Sequence, residues 1–570
     1  KPGAPKIGEL RQGLATADDK RFTRYWWEVP TKKIASTRSE VKKGKKWVPF
    51  IKGGDPYYSD ILLVVDWEKE GEKIKNWVVQ RYPYLEGNYQ WVVKNEDFYF
   101  RPGLCWSSIV SSILMDLRIL PKGCIFSAKA DSLFLTPKTN VFSLMALLNS
   151  ELLAFCFMCL NPTMHDRQIG HICELPIVTE ALDDNEIANL SAELYNLVRE
   201  WQTGDEKSYL FIKPWILQAA KTKKHAKPRN QHPLARDFKW SKGSAKTFCS
   251  MYGSPDMSIH DLAKICTKQE KLLRKSLYEL REAVDNKVYK MYGIKNKDRQ
   301  KIEKELCTFQ GLTRSLKKSY EEAIKPKMTV KEHVVRLISY YVKLITEEDL
   351  DGIVPLGELL ENIRSKIRDS FGEDQAQRVE SEITQVLGKS LKDWLAENFS
   401  KFHVRLYERR PIIWQMTSAN FSPRRDSQGA FNCFLYYHKL SKDTIFKIRT
   451  RKEYMKGVLD GAKWKTQRLR RELQQARDSD DKRRERRLQG EYEKSLDQLN
   501  ELQAFDNKLA EVSNPRAEHT ELDEDASWVE RKIAEVRDNG CNPVLDYGVR
   551  VNIEPLKEAG LLHRAADRVK

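Results

Sequence analysis

Lys52-Gly53-Gly54 carries the plainest chemistry in this 570-residue chain. Paired glycines let main-chain amides approach an anion closely and the lysine adds a charge, so the step suits a phosphate oxygen, although a hairpin turn has the same composition. Arg101 and Ser107 flank Pro102-Gly103 and Trp106, an arrangement suited either to setting polar edges against a DNA groove or to capping a strand. Gln168 and His171 supply donors and acceptors of the kind that read base edges. Residues 213–246 hold ten Lys or Arg against a single acid, Asp237, and are interrupted by Pro228 and Pro233. Lys221, Lys223, Lys224, Lys227 and Arg229 are expected to contact DNA phosphates there; the plainer alternative is a solvated hinge. The net charge of +18 agrees with a polyanionic partner, since each phosphate neutralised releases counterions.

Other chemistries find little support. Asp256 followed by Gln269-Glu270-Lys271 loosely imitates a metal nuclease, but the residues between have helical character, and such a site needs carboxylates on rigid neighbouring elements. Cys156 and Cys159 have half-zinc-site spacing without a second pair and lie in an apolar run, so core packing is expected and no metal. Asp18, Asp19 and Arg21 read as a loop-positioning turn, and Trp26 and Trp27 as packing anchors. No Ser/His/Asp or Cys/His arrangement stands out. Ten cysteines over this length suit reduced residues in the cytoplasm.

The elements that must position these residues make an α+β, multidomain chain: a strand-rich recognition lobe, then mainly helical C-terminal domains with a long charged helical hairpin or coiled coil. Hydrophobic content of 41% with 14 Trp supports folded domains. Short aromatic and β-branched runs at 61–67, 77–79, 91–93, 98–100 and 124–126 predict strands. Residues 141–160 predict one apolar helix, buried because Asn149, Ser150 and Glu151 at its middle would be penalised in a bilayer. Ile187, Leu190, Leu194, Leu197 and Trp201 predict a helix over 186–202, and Leu273 to Met291 another, ended by Gly293. Thr329 with Glu332 predicts a capping box. Residues 411–415 and 431–440 predict a small sheet, and the apolar spacing between 458 and 512 predicts the hairpin, with Lys482-Arg-Arg-Glu-Arg-Arg487 on its tip or outer face. The expected division is a recognition domain at 1–212, a basic linker at 213–257, a helical domain at 258–400, a small sheet-containing segment at 401–457, the hairpin at 458–515 and a C-terminal cap at 516–570.

Several segments in order carry a resemblance. They are Gly13, Thr16, Asp18 and Phe22; residues 47–54 (Trp-Val-Pro-Phe-Ile-Lys-Gly-Gly); 101–107 (Arg-Pro-Gly-Leu-Cys-Trp-Ser); 120–126; 147–150; Asn161-Pro-Thr163; and 168–177. Weaker echoes follow at 280–294, 410–414 and 546–552. Together they resemble the target-recognition and C-terminal region of the large adenine-specific DNA methyltransferases of the BREX and DISARM phage-defence systems, the phage-growth-limitation type. The resemblance implies N6-adenine methylation of a short DNA site with S-adenosylmethionine in the complete enzyme, with double-stranded DNA, an N-terminal methyltransferase domain and other phage-defence proteins as partners, and no membrane. The family's chemistry needs an Asn-Pro-Pro-Tyr or Asp-Pro-Pro-Tyr loop to hold and stack the flipped adenine, and a glycine-rich turn for the cofactor. This chain has no Pro-Pro and no Gly-x-Gly, and Asn161-Pro-Thr163 lacks the second proline and the aromatic residue. No catalytic or cofactor-binding residue is therefore expected in it; the alternative is a non-catalytic DNA-binding or scaffolding subunit of a defence complex.

Overall fold

The computed structural model describes residues 7–109, 114–161, 166–220, 231–241, 256–309, 322–424, 428–517 and 519–569. The architecture is mixed α+β and multidomain, strand-rich in its N-terminal part and helical in its C-terminal part. Two compact units divide the chain: residues 1–26 with 31–333, and residues 27–30 with 334–570.

In the first unit the described strands are β1 (Gly8–Arg11), β2 (Thr23–Tyr25), β3 (Trp47–Ile51), β4 (Leu63–Asp66), β5 (Gly103–Cys105), β6 (Arg118–Leu120), β7 (Ile125–Phe126) and β8 (Ser132–Leu135). They form two sheets, ordered β1-β8-β5-β6 and β2-β4-β3-β7. All pairs are antiparallel except β3 with β7. Every residue of β3 is buried, which is why its apolar run does not alternate.

Helices complete this unit, and the apolar stretch at 141–160 is two of them. Val141–Leu148 and Glu151–Leu160 meet at a 61° bend, because the polar residues at the junction have specific work. Asn149 accepts from Leu117 N–H at 2.7 Å and donates to Leu117 O at 2.9 Å, as a strand partner would. Ser150 caps the second helix, and Asp285 accepts Glu151 N–H at 2.8 Å. Leu144, Leu147, Leu153 and Phe157 then share one core with Leu104, Trp106, Ile187, Leu194, Val284 and Val288. Fully burying such side chains contributes roughly 1.5–3 kcal/mol each. Among the described residues no single helix is long and apolar enough to cross a membrane.

Asn185–Trp201 forms as its stripe requires, with Asp184 capping it. Ile259–Met291 starts well before the stripe at Leu273, capped by Ser258, and ends at Tyr292 and Gly293, whose φ of +65° lies in the left-handed region. The run 77–79 is not a strand: Ile74 and Val78, four apart and buried, place it in the helix Glu72–Arg81. The runs 91–93 and 98–100 are not strands either: Trp91 and Phe98 end the single 3₁₀ turns Tyr89–Trp91 and Glu96–Phe98, and Val93 makes an isolated bridge to Leu14.

In the second unit β9 (Ile353–Pro355), β10 (Ile413–Thr417) and β11 (Asn432–Tyr436) form an antiparallel sheet in the order β10-β11-β9. The buried His403 accepts Ile413 N–H at 3.1 Å, and burial pushes its imidazole down to about 3. The charged hairpin is formed by Met455–Asp478 and Lys482–Ser513. Leu469, Leu473, Ala476 and Leu488 are its seam, and a buried Thr466–Ser495 hydroxyl pair at 2.8 Å fixes its register. Glu501, buried on the second helix, accepts Ser418 Oγ–H and Ala430 N–H, tying the hairpin to the sheet.

Close backbone approach governs Gly13. An added Cβ would stand 2.0 Å from Phe126 O, the carbonyl that accepts Leu14 N–H. Gly13→Ala is expected to destabilise by about 3 kcal/mol, whereas Gly170→Ala, with nothing within 4 Å, should change stability by less than about 0.5 kcal/mol. Paired thermal denaturation curves check this; equal midpoints would contradict it.

Candidate nucleic-acid interface

Lys52 follows the end of β3, and its ammonium pairs with the Asp19 carboxylate. Asp18 caps the one-turn helix Asp19–Phe22 by accepting Arg21 N–H, and Thr16 Oγ1 donates to Asp19 at 2.6 Å. Burial would raise the pKa of Asp19, but hydrogen bonds from Lys52 and Thr16, with the fields of Lys52 and Lys129, hold it below its ordinary value. The Thr16–Asp19 turn thus steers Lys52.

Gly53 and Gly54 are exposed beside this pair, and a Cβ on Gly53 would stand 3.3 Å from Ser107 Oγ. Ser107 itself is buried at the end of the segment that follows β5. The next residue, Ser108, donates to Lys129 O at 3.1 Å and accepts Arg167 N–H at 2.9 Å, which brings in Gln168. Gln168 is exposed and donates to the Asp166 carboxylate at 2.6 Å. Three parts of the chain therefore converge, carrying Lys52, Gly53 and Gly54, then Ser107, then Gln168, with the 16–19 turn and Lys129 beside them.

Arg101 and His171 are not part of this convergence. Arg101 lies before β5 and Ser107 beyond it, about 20 Å apart for extended chain, and its guanidinium sits 4.8 Å from the Phe98 ring centroid. His171 packs its ring perpendicular to that of Phe157, the centroids 6.2 Å apart, with Nδ1 buried. Lys221, Lys223, Lys224, Lys227 and Arg229 lie outside the described residues.

Several residues at the same place had no local signal. Asp131 is 3% exposed, and its carboxyl is pushed up to about 7 by burial and by Asp166, against the opposing field of Lys94. Its folded pKa lies above the ordinary 3.8, so the unfolded chain releases the proton first and stability falls as pH rises from about 4 to about 7. Asp131→Asn should accordingly gain more in melting temperature over the parent at pH 8 than at pH 5; an equal gain at both would contradict the assignment. Trp91, 70% exposed, stands on the turn just before Lys94. Arg118 and Arg167 are wholly buried.

Other possibilities resolve into structure. Glu270 lies on the helix Ile259–Met291 and accepts Lys327 N–H, Met328 N–H and Arg274 Nε–H, so it braces a turn rather than a metal. Among the described residues no group of three His, Cys, Asp or Glu could hold a metal ion. Cys156 is half-buried and Cys159 exposed, which corrects the expectation that both pack in the core: the helix presents its Phe157 face inward. Asn161 Nδ2 donates to Asp166 O at 2.6 Å, while Pro162 and Thr163 lie outside the described residues. In the second unit, Asn552 of the 546–552 segment accepts Val544 N–H and donates to Gly548 O, both at 2.8 Å, a fold-forming role.

No family model matches the chain. Comparison with known proteins supports a BREX/PglX-like family of adenine-specific methyltransferases, as the ordered segments implied. The adenine-specific methyltransferase PglX of Lacticaseibacillus casei (strain Zhang) is 24% identical over 551 residues, covering 91% of this chain and 41% of that protein. The adenine-specific methyltransferase BrxX of Escherichia coli O9:H4 (strain HS) is 21% identical over 537 residues, covering 87% and 40%. The chain thus spans about two-fifths of the length of the curated relatives it matches.

Proposed function

We propose that this chain is the DNA target-recognition and C-terminal assembly region of an S-adenosylmethionine-dependent N6-adenine DNA methyltransferase that marks DNA in a bacterial phage-defence system. The observation that carries the reading is the convergence of Lys52-Gly53-Gly54, Ser107 and Gln168, with Lys94 and Lys129 nearby, in a relative of two adenine-specific methyltransferases. Lysines and glycine amides set affinity through phosphates, while Gln168 and Ser107 are of the type that reads base edges. The Asp19 and Asp166 carboxylates among them disfavour loose polyanion binding and keep the positive charge where a phosphate must be placed.

Selection of a randomised duplex library on the purified chain tests this directly. A recovered motif, and its relaxation by Gln168→Ala with roughly tenfold lost discrimination, is the expected outcome. A library recovered without enrichment overturns the reading.

The basic segment makes a separate prediction. Neutralising Lys221, Lys223, Lys224, Lys227 and Arg229 together should weaken specific and nonspecific duplexes alike, and reduce the slope of log K against log salt by up to about 4. An unchanged slope would make the segment a hinge.

The second reading, a scaffolding subunit, draws on the hairpin. Lys482, Arg483, Arg484, Arg486 and Arg487 are all exposed at the start of its second helix. Such a face serves an acidic partner as well as a solvated surface.

A further inference from the structure

Arg118 opens β6 and is wholly buried, yet among the described residues Nε, Nη1 and Nη2 find no oxygen or charged partner, only the weakly accepting Cys105 thiol. A buried cation left this way costs several kcal/mol, and natural chains keep such groups for a reason. The contrast within the same unit is Arg167, also wholly buried, which donates to Met115 O at 2.8 Å and to Leu114 O and has Asp116 at 3.5 Å. Opposite Arg118 in the sheet register stands Cys105, a thiol that burial keeps protonated despite the guanidinium, so it supplies no counter-charge.

What the guanidinium faces is the glycine turn. A Cβ on Gly54 would stand 3.0 Å from Arg118 Nη1 and 2.6 Å from Ser59 Oγ, and Gly54 has a φ of +153°. Only glycine can hold this backbone against the guanidinium, and Gly54 is exposed while the arginine behind it is not. Lys52 lies two residues before, its ammonium shared with Asp19.

We propose that Arg118, Lys52 and the main-chain amides of Gly53 and Gly54 form an oxyanion site that takes one phosphodiester of bound DNA, the glycine turn shifting to admit it. Guanidinium and successive amides match tetrahedral oxyanions in geometry and charge. The source of the phosphate rests on the DNA-recognition reading; the anion chemistry stands without it.

The test follows the melting temperature of the purified chain in inorganic phosphate, together with its affinity for a 30-base-pair duplex across a salt series. Arg118→Met, which removes an uncompensated charge, should melt no lower than the parent without phosphate and lose the phosphate-dependent rise. It should also bind duplex roughly tenfold more weakly at 0.15 M salt, with a salt slope smaller by about 1. Gly54→Ala, which leaves the guanidinium but fills the approach to it, should lose the phosphate response as well, and decides the matter if Arg118→Met does not fold. A lower melting temperature in Arg118→Met with an undiminished phosphate response and salt slope would make Arg118 a packing residue and overturn the proposal. A parent that gains stability from phosphate through Arg118 but binds no duplex would keep the anion site and discard the DNA-recognition reading instead.

Discussion

Incubated with tritiated S-adenosylmethionine and duplex DNA, these 570 residues alone are expected to transfer no methyl group to adenine. Methyl transfer to a base requires the adenine to be turned out of the stack, held by its exocyclic amine and stacked on an aromatic face. No Pro-Pro step and no Gly-x-Gly turn occurs anywhere in the chain, so neither the adenine-holding loop nor the cofactor turn of the resembled family can be drawn from it. Asn161, in the segment nearest in composition to such a loop, spends its amide on Asp166 O. The expected difference from a complete enzyme is the whole of the chemical acceleration, many orders of magnitude. Tritium in N6-methyladenine above a no-protein control would contradict this, and would place catalysis on residues outside any motif named above.

Much of the architecture could be read from local pattern, and the exceptions have a common cause. Ile187, Leu194 and Leu197 sit on the inward face that their spacing required, and the hairpin seam at Leu469, Leu473 and Leu488 follows its three- and four-residue rhythm, because both depend only on helical period. Trp77 to Val79 misled because three residues are too few to separate a strand from one turn of helix; Ile74 and Val78 settle it only over the longer window. At 149–150 the polar residues were visible, but their effect depended on Leu117 and Asp285, both far along the chain.

The candidate site shows the same division more sharply. Lys52-Gly53-Gly54 stood out because paired glycines beside a lysine suit an anion, although a hairpin turn has the same composition, and Ser107 and Gln168 arrive beside it. Arg101 sits at the far end of the strand from Ser107, a separation that sequence nearness concealed. Arg118 lay in the run Leu-Arg-Ile-Leu, where one arginine reads as the solvent face of an edge strand. Its burial arises from the β5 pairing and the Gly54 turn together, contacts 13 and 64 residues away. Asp19 likewise meets Lys52 only once β3 is in place. Groups whose charge depends on such closures cannot be recognised from spacing.

We propose that sequence choice resides in the strand-rich part of the first unit and not in the charged hairpin of the second. Base-edge contacts discriminate by about 1–3 kcal/mol per good bidentate pair, so a few exchanged side chains are enough to change a motif completely. The most direct measurement is methylation-sensitive long-read sequencing of DNA from cells carrying chimeras of a complete enzyme that contains this region, each confirmed to accumulate folded. Exchanging residues 47–168 for the matching segment of a relative with a different site should carry the relative's methylation motif with it, while exchanging residues 458–512 should leave the motif unchanged and alter stability or partner association. A motif that follows 458–512, or stays put when 47–168 is exchanged, would contradict the account.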